Sequence, residues 1–322
     1  MQSGYRLLTY LDKNGQPRVG VAFGDRVIDA ATLLGGSPVS MLAILRQWDG
    51  LHARLDQALK SASTYESVPL ASLTLTAPIL YPGAFFCAGA NYWDHLEEMA
   101  DFVKRTTGHA PSMIKAAEPW FFVKTTVGTI VGSNAPVRLP RFSTKVDWEA
   151  ELGVVIARPT RNISERDALN AVAGYVIVND LSARDHVKRE GSPFIYDWIG
   201  QKCFDDAAPM GPWMTPAAYV ADPQDLDIKL WVNGVLKQSS NTGKMVHGIA
   251  EQIAYLSRHV TLQPGDVIAT GTPAGVGMPR SDFLKPGDVC EVEIEGLGRL
   301  VNTMVPDAAP MPSAEMEAAD AR

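Results

Sequence analysis

The sequence has little cysteine, no long apolar run and no cluster of basic residues, and each shortage removes a class of protein. Its three cysteines, Cys87, Cys203 and Cys290, are far apart in the chain. They cannot build a disulfide framework or a paired-cysteine metal or redox motif, so reduced thiols are expected. No apolar stretch approaches the ~20 residues that a membrane-spanning helix needs. Residues 1–6 lack the charged-then-apolar order of a secretory leader. A net charge of −7 without a basic run argues against nucleic acid or an anionic membrane as a partner. A cytoplasmic globular chain is the expectation. Its 322 residues, 46% of them hydrophobic with a mean hydropathy near zero, suffice for one large domain and a small one.

Short alternating runs at 5–11, 19–23 and 27–28 are separated by Asn14-Gly15 and Gly24-Asp25, the pattern of strands joined by tight turns. Leu42, Ile44, Leu45, Trp48, Leu51, Leu55 and Leu59 then recur at helical spacing over 40–59, and a polar linker follows at 61–67. The boundaries expected are a small β-rich N-terminal domain at 1–75, a catalytic domain at 76–305 and a flexible tail at 306–322. From Ala77 onward, strands, turns and short helices intermix without regular βαβ alternation. The fold class expected is mixed β with short helices (α+β), rolled up rather than doubly wound. Pro264-Gly265-Asp266 and Pro286-Gly287-Asp288 are two similar turns, each feeding a strand.

The stretch 146–156, Val-Asp-Trp-Glu-Ala-Glu-Leu-Gly-Val-Val-Ile, breaks a rule of strand composition. Its apolar half is a strand, and extending it backward at period two puts Glu149 and Glu151 on one face. A second apolar strand, 174–178, runs into Asn179-Asp180. Carboxylates stepping into buried strands are costly unless a cation sits among them, and a hard divalent ion answers that need. Glu149, Glu151 and Asp180 are therefore a candidate metal cage. The other reading of the same spacing is a solvated strand edge.

Asn91, after a short apolar strand at 85–88, has the chemistry of a helix N-cap, which places His95 and Glu98 three apart on one helical face. Glu98 could orient the imidazole as a general base, or the pair could be an ordinary acidic first turn with a surface histidine. Arg184, four residues after Asp180, could clamp a substrate carboxylate or pair with Asp185 or Glu190. Lys202 could balance the cage and a developing enolate or lie exposed. The glycine-rich stretch 271–277 lacks the Lys-Ser/Thr ending of a phosphate loop. Its amides and the Thr272 hydroxyl could instead meet an oxyanion or carboxylate.

In order, the chain carries Asn91-Tyr92-x-x-His95-x-x-Glu98, Asp147-x-Glu149-x-Glu151-Leu152, Asn179-Asp180-x-x-x-Arg184-Asp185, Lys202, Pro209-Met210-Gly211-Pro212, Val232-Asn233-Gly234, and Pro264-Gly265-Asp266-Val267-Ile268 through Gly271-Thr272-Pro273. With these motifs it resembles the fumarylacetoacetate hydrolase family over about residues 80–303. The resemblance implies a β-roll catalytic domain, a homodimer, and Mg²⁺ or Mn²⁺ on Glu149, Glu151 and Asp180. It implies catalysis by His95, Glu98 and Lys202, and substrate contacts from Arg184, Thr272, Lys124 and Tyr92. The substrate implied is a small dicarbonyl acid such as an acylpyruvate, from an aromatic compound or a sugar acid.

Hydroxide made by His95 would attack the distal carbonyl, and the leaving enolate would be stabilised by the metal and Lys202. Decarboxylases, isomerases and hydratases share the cage and are the alternative, and a non-catalytic oxo-acid-binding protein is a second one. The chain departs from the family pattern at Val187, where glutamine is frequent, and at Thr125, where proline is frequent. The segment 101–120, with Gly108 and Pro111 inside it, is expected to form a helix and a lid over the site.

Overall fold

The computed structural model describes residues 4–36, 40–109 and 111–307; of the tail expected at 306–322, Pro306 instead ends a strand and residues 308–322 lie outside the described ones. The alternating N-terminal runs form β1 (Arg6–Leu11), β2 (Pro17–Phe23) and β3 (Arg26–Asp29), in antiparallel succession through the two expected turns. The helical periodicity over 40–59 becomes two helices, α1 (Met41–Leu45), capped by the Ser40 hydroxyl, and α2 (Trp48–Leu59). The break at Gln47, whose φ is −125°, lets each helix place its own apolar face. Leu42 and Leu45 of α1 pack on Gly265, where a Cβ would lie 2.4 Å from Leu42 Cδ2. Trp48, Leu51 and Leu55 of α2 enter the core.

Besides several strands of two or three residues, the chain forms β4 (Phe85–Gly89), β5 (Trp120–Val123), β6 (Ala150–Ile156), β7 (Val172–Asn179), β8 (Ala208–Pro216), β9 (Asp227–Val232), β10 (Val235–Asn241), β11 (Val267–Ala269), β12 (Val289–Ile294) and β13 (Gly298–Pro306). The larger sheet runs Val68–Pro69, β3, β2, β1, β8, β7, β6, β11, β4, β5. The N-terminal strands thus extend the main sheet, through the pairing of Leu7 with Met214. A five-stranded sheet, β10, β9, β12, β13 and Val137–Leu139, packs on it. This is the rolled, mixed architecture expected, and β4 with β11 supplies a parallel pair among mostly antiparallel ones.

Every residue of β6 and β7 is buried. Leu152, Val154, Tyr175 and Ile177 face the five-stranded sheet, whereas Val155, Val176 and Val178 face Leu7, Val21, Ile28 and α2. Burial on both faces explains why these strands read as unbroken apolar runs rather than alternation. It also makes their ends the place where polar groups emerge from the densest part of the molecule. Among the described residues, no helix is long and apolar enough to cross a membrane.

Ile177 has no exposed surface between the sheets. Ile177→Ala is expected to cost about 2–5 kcal/mol. Val235→Ala, on an exposed hairpin residue, should stay within about 0.5 kcal/mol. Urea unfolding of the two variants checks the contrast.

Candidate active site

The ladder between β6 and β7 pairs Ala150 with Asn179 and Glu151 with Val178, and continues as the Asp180 amide donates to the Glu149 carbonyl at 2.9 Å. That register places three acidic side chains at one end of two adjacent strands. Glu149, Glu151 and Asp180 are all buried, and each offers a carboxylate oxygen within 4.8 Å of the others. The solvated-edge alternative is therefore excluded.

The surrounding cations are arranged in two layers. Lys202 Nζ bridges Glu149 Oε2 at 2.8 Å and Asp180 Oδ2 at 2.6 Å, while stacked 4.8 Å above the Phe122 ring. Arg184 donates to Glu149 Oε1 at 2.6 Å and Asp147 Oδ2 at 2.9 Å, instead of pairing with Asp185 or Glu190. Lys124 Nζ lies 2.7 Å from Asp180 Oδ1. Burial alone would raise the Glu149 carboxyl, but Lys202 and then Arg184 hold it well below the usual carboxylate range. Glu151 goes the other way. Burial, then Asp180 and Glu149, push it well up. It accepts the Gly271 amide at 2.8 Å and makes no ion pair among the described residues.

With all four carboxylates (Asp147, Glu149, Glu151, Asp180) ionised against three cations (Lys124, Arg184, Lys202), this cluster would carry one negative charge in excess, a state that the upward push on Glu151 resists and a bound cation would favour. The donors that converge are all carboxylate oxygens, with no sulfur or imidazole among them. Such a set suits a hard divalent ion, and Mg²⁺ or Mn²⁺ fits it. An ion there would relieve the carboxylate repulsion felt by Glu151 and leave the cluster net positive toward an anionic substrate.

His95 and Glu98 lie on α3 (Trp93–Thr107). Tyr92, not Asn91, is its N-cap residue. The Asn91 side chain is spent on three long-range bonds, to the His247 and Thr270 carbonyls and the His247 amide, which anchor the helix to the core. His95 Nδ1 is 3.8 Å from Glu98 Oε2, beyond hydrogen-bond reach, and has no other partner. Burial tends to raise the Glu98 carboxyl, but His95, the Gly275 amide at 2.9 Å and Arg280 outweigh it and leave it lowered.

The glycine-rich stretch does meet carboxylates, and they are the protein's own: Gly271 serves Glu151, Gly275 serves Glu98 and Gly277 serves Asp147. Gly271 has φ +99°, and a Cβ there would lie 2.7 Å from the Asn91 Cβ; only glycine brings that amide to Glu151.

A cavity of about 130 Å³ is lined by His95, Glu149, Glu151, Arg184, Lys202 and Thr272, together with Gly89, Trp120, Phe122, Trp198 and Gln201 among others. Thr272 Oγ1 accepts from Gln238 Nε2 at 2.9 Å, which leaves its proton free for a ligand.

Three expectations need correction. Lys124 is not a substrate contact: its ammonium is buried against the Leu181, Lys202 and Ala207 carbonyls at 2.7–3.0 Å as well as Asp180, so its donors are used up. Tyr92 is fully buried, outside the cavity lining, with a hydroxyl that has no hydrogen-bond partner among the described residues. Residues 101–120 do not form a lid over the site; of the described ones, Trp120 alone lines the cavity. Their first part completes α3, which ends at Gly108 with φ +82°. Lys115 and Glu118 then tie the chain to Glu251 and Arg258, away from the cavity.

Sequence reasoning assigned no role to Asp147, Gln238 or Gln201. Asp147 orders Arg184 and the Gly277 turn, and stood in a quoted motif. Gln238, the one buried residue of β10, holds the Ala150 amide as well as Thr272. Its signal was a lone inward polar residue.

A family profile described as "Fumarylacetoacetate (FAA) hydrolase C-terminal" matches residues 84–305. The chain belongs to this family. Over 294 residues it is 38% identical to the oxaloacetate tautomerase fahd2, mitochondrial, of Xenopus laevis, covering 90% of this chain and 86% of that one. It is 42% identical over 224 residues to the 2,4-didehydro-3-deoxy-L-rhamnonate hydrolase of Sphingomonas sp. (strain SKA58), with 69% and 73% covered. The crystal structure of maleylpyruvate hydrolase from Sphingobium sp. SYK-6, in complex with manganese(II) and pyruvate, superposes with a TM-score of 0.74 at 30% identity, covering 94% of this chain and 99% of that chain. Family members thus include both hydrolases and a tautomerase.

Two outcomes follow for the site. Lys124→Met removes one of the two lysines paired with Asp180 and the donor of three buried carbonyls, and is expected to destabilise the fold by about 3–5 kcal/mol, read by thermal unfolding. A substrate-contact lysine would instead raise KM in a protein of unchanged stability. Glu98 has a folded pKa below its unfolded value. Its stabilisation is therefore present above the unfolded pKa and lost as pH falls through the folded one. Glu98→Gln should flatten the acid limb of a stability-against-pH curve.

Proposed function

We propose that this chain is a divalent-metal-dependent hydrolase of a short 2,4-dioxo acid, cleaving the bond between C3 and the distal carbonyl carbon C4. The observation that carries the reading is His95, with Glu98 behind it, lining the same small cavity as the three-carboxylate cage. Names of relatives support it: one hydrolase acts on a didehydro-deoxy sugar acid, and the superposed maleylpyruvate hydrolase holds manganese(II) and pyruvate.

When bound on Glu149, Glu151 and Asp180, Mg²⁺ or Mn²⁺ supplies Lewis acidity toward the oxo-acid end of the substrate. The protein's own groups do the rest. Glu98 faces His95 Nδ1, which leaves Nε2 to take the proton from water, and the 3.8 Å separation is of the loose kind that tightens when substrate arrives. The resulting hydroxide adds to C4, and breaking C3–C4 releases the acyl group as a carboxylic acid. Lys202, at the cavity wall, faces the charge that develops on the departing oxo-acid half. Protonation of C3 yields pyruvate. Thr272 and the Arg184 guanidinium edge border the same space and orient the substrate.

A second reading, tautomerisation of oxaloacetate, is favoured by the relative that matches over 90% of the chain. It needs the same base to move a proton between carbon and oxygen without water adding.

His95→Ala is expected to lower kcat for 2,4-dioxo acid cleavage by about 10²–10⁴-fold, with exhaustive chelation abolishing turnover and Mg²⁺ or Mn²⁺ restoring it. Loss of dioxo-acid enol absorbance, measured beside oxaloacetate keto–enol exchange, separates the readings. Rapid exchange with no pyruvate release would overturn the hydrolase.

A further inference from the structure

Where β1 joins β8, a second cavity is lined by Tyr5, Arg6, Trp213, Thr215, Tyr219 and Gly298 among others, and it shares no lining residue with the catalytic cavity. The two strands run antiparallel with Leu7 opposite Met214, which sets Arg6 beside Thr215 and Leu8 beside Trp213 on the neighbouring rungs. Leu7 and Met214 enter the core beneath α1 and α2. The period of two then turns Arg6, Trp213 and Thr215 together to the other side of the sheet.

Three groups on that side lack the partner their chemistry calls for. Arg6 is partly buried, which lowers its pKa, and it forms no ion pair among the described residues. It donates to the Gly24 carbonyl and lies 4.4 Å from the centroid of the Trp213 ring. A turn carbonyl and an indole thus hold the guanidinium in place without neutralising it. Trp213 Nε1 and Thr215 Oγ1 are buried with no hydrogen-bond partner among the described residues, and Thr215 is only 3% exposed. An indole N–H and a guanidinium can only donate, and a buried donor left unmatched is costly. The missing partner is therefore an acceptor. No acidic residue lines the cavity, so beside an unpaired arginine that acceptor is an anionic oxygen.

The rest of the wall bears on what the anion is attached to. The Tyr219 hydroxyl is spent on Asp56 at 2.7 Å, and the Tyr5 hydroxyl pairs with His52 at 2.6 Å, which leaves their rings for a ligand. Gly298, at φ +97°, brings bare backbone to the edge of Trp213, where a Cβ would lie 2.5 Å from Cζ2. Beyond the three donors the wall is thus ring carbon and glycine. A second charged group would be desolvated there without a partner, whereas a flat apolar body packs on aromatic rings. One guanidinium balances a carboxylate, whereas a phosphate ester carries close to two charges.

We propose that this cavity is a second ligand site that takes a small monocarboxylate with a flat apolar body. The carboxylate meets Arg6, Trp213 Nε1 and Thr215 Oγ1, and the body lies against the rings of Trp213 and Tyr219. The site does not depend on the hydrolase reading.

Calorimetry on the full-length, Mg²⁺-loaded protein tests it, with benzoate as the probe and benzyl alcohol, acetate and inorganic phosphate beside it. Benzoate is expected to bind roughly tenfold or more tightly than each of the other three. Arg6→Gln is expected to weaken benzoate by roughly tenfold or more. Thr215→Val, which keeps the shape of the side chain, should weaken it by roughly threefold and carries the same test if Arg6→Gln does not fold. His95→Ala, at the catalytic cavity, should leave benzoate binding unchanged. No binding of benzoate by wild type, binding that these two variants leave intact, or binding lost in His95→Ala overturns the proposal. Benzyl alcohol, acetate or phosphate bound as tightly as benzoate overturns it as well, because the charge or the apolar body would then play no part.

Discussion

Electrostatic repulsion among carboxylates crowded at the ends of two buried strands is the constraint around which this molecule is organised. Asp147, Glu149, Glu151 and Asp180 occupy a region from which water is largely excluded, where an uncompensated charge is expensive. Lys202 and Arg184 neutralise two of them from the cavity side, and Lys124 supports Asp180 from behind. Glu151 is left with a backbone amide as its partner, and its carboxyl is pushed upward by burial and by Asp180 and Glu149. A divalent ion placed among them would resolve that imbalance.

The scaffold is shaped to hold this arrangement. β6 and β7 are buried on both faces, which fixes their register and with it the convergence of Glu149, Glu151 and Asp180. The loop after β11 then supplies amides to Glu151, Glu98 and Asp147 in turn. Glu151 of the carboxylate cluster, Glu98 beside His95 and Asp147 beside Arg184 are therefore tied to one segment. The loop works at this close range because Gly271 and Gly275 adopt positive φ where a side chain would collide with Asn91 or with the Lys237 carbonyl.

The groups that line the cavity come from elements of different size and burial. The cage sits on the central strands, whereas Trp198, Gln201 and Lys202 come from a five-residue helix that follows an exposed segment with Phe194, Ile195 and Tyr196 at its surface.

Much of this was present in the linear sequence. The apolar runs with acidic ends identified β6, β7 and the cage, because strand periodicity and the cost of buried charge are local properties of the chain. The turns, the N-terminal strands and the His95–Glu98 spacing were local in the same way. Other features depended on residues distant in sequence. Whether Lys124 touches substrate or Asp180, whether Asn91 caps a helix or anchors it to His247, and where residues 101–120 run were decided by partners 57 to 179 positions away. The unmatched Nε1 of Trp213 is likewise a fact about packing. Residue types and spacing specify which groups can do chemistry, but only the three-dimensional neighbourhood determines which of them already have their hydrogen bonds satisfied and which remain open to a ligand.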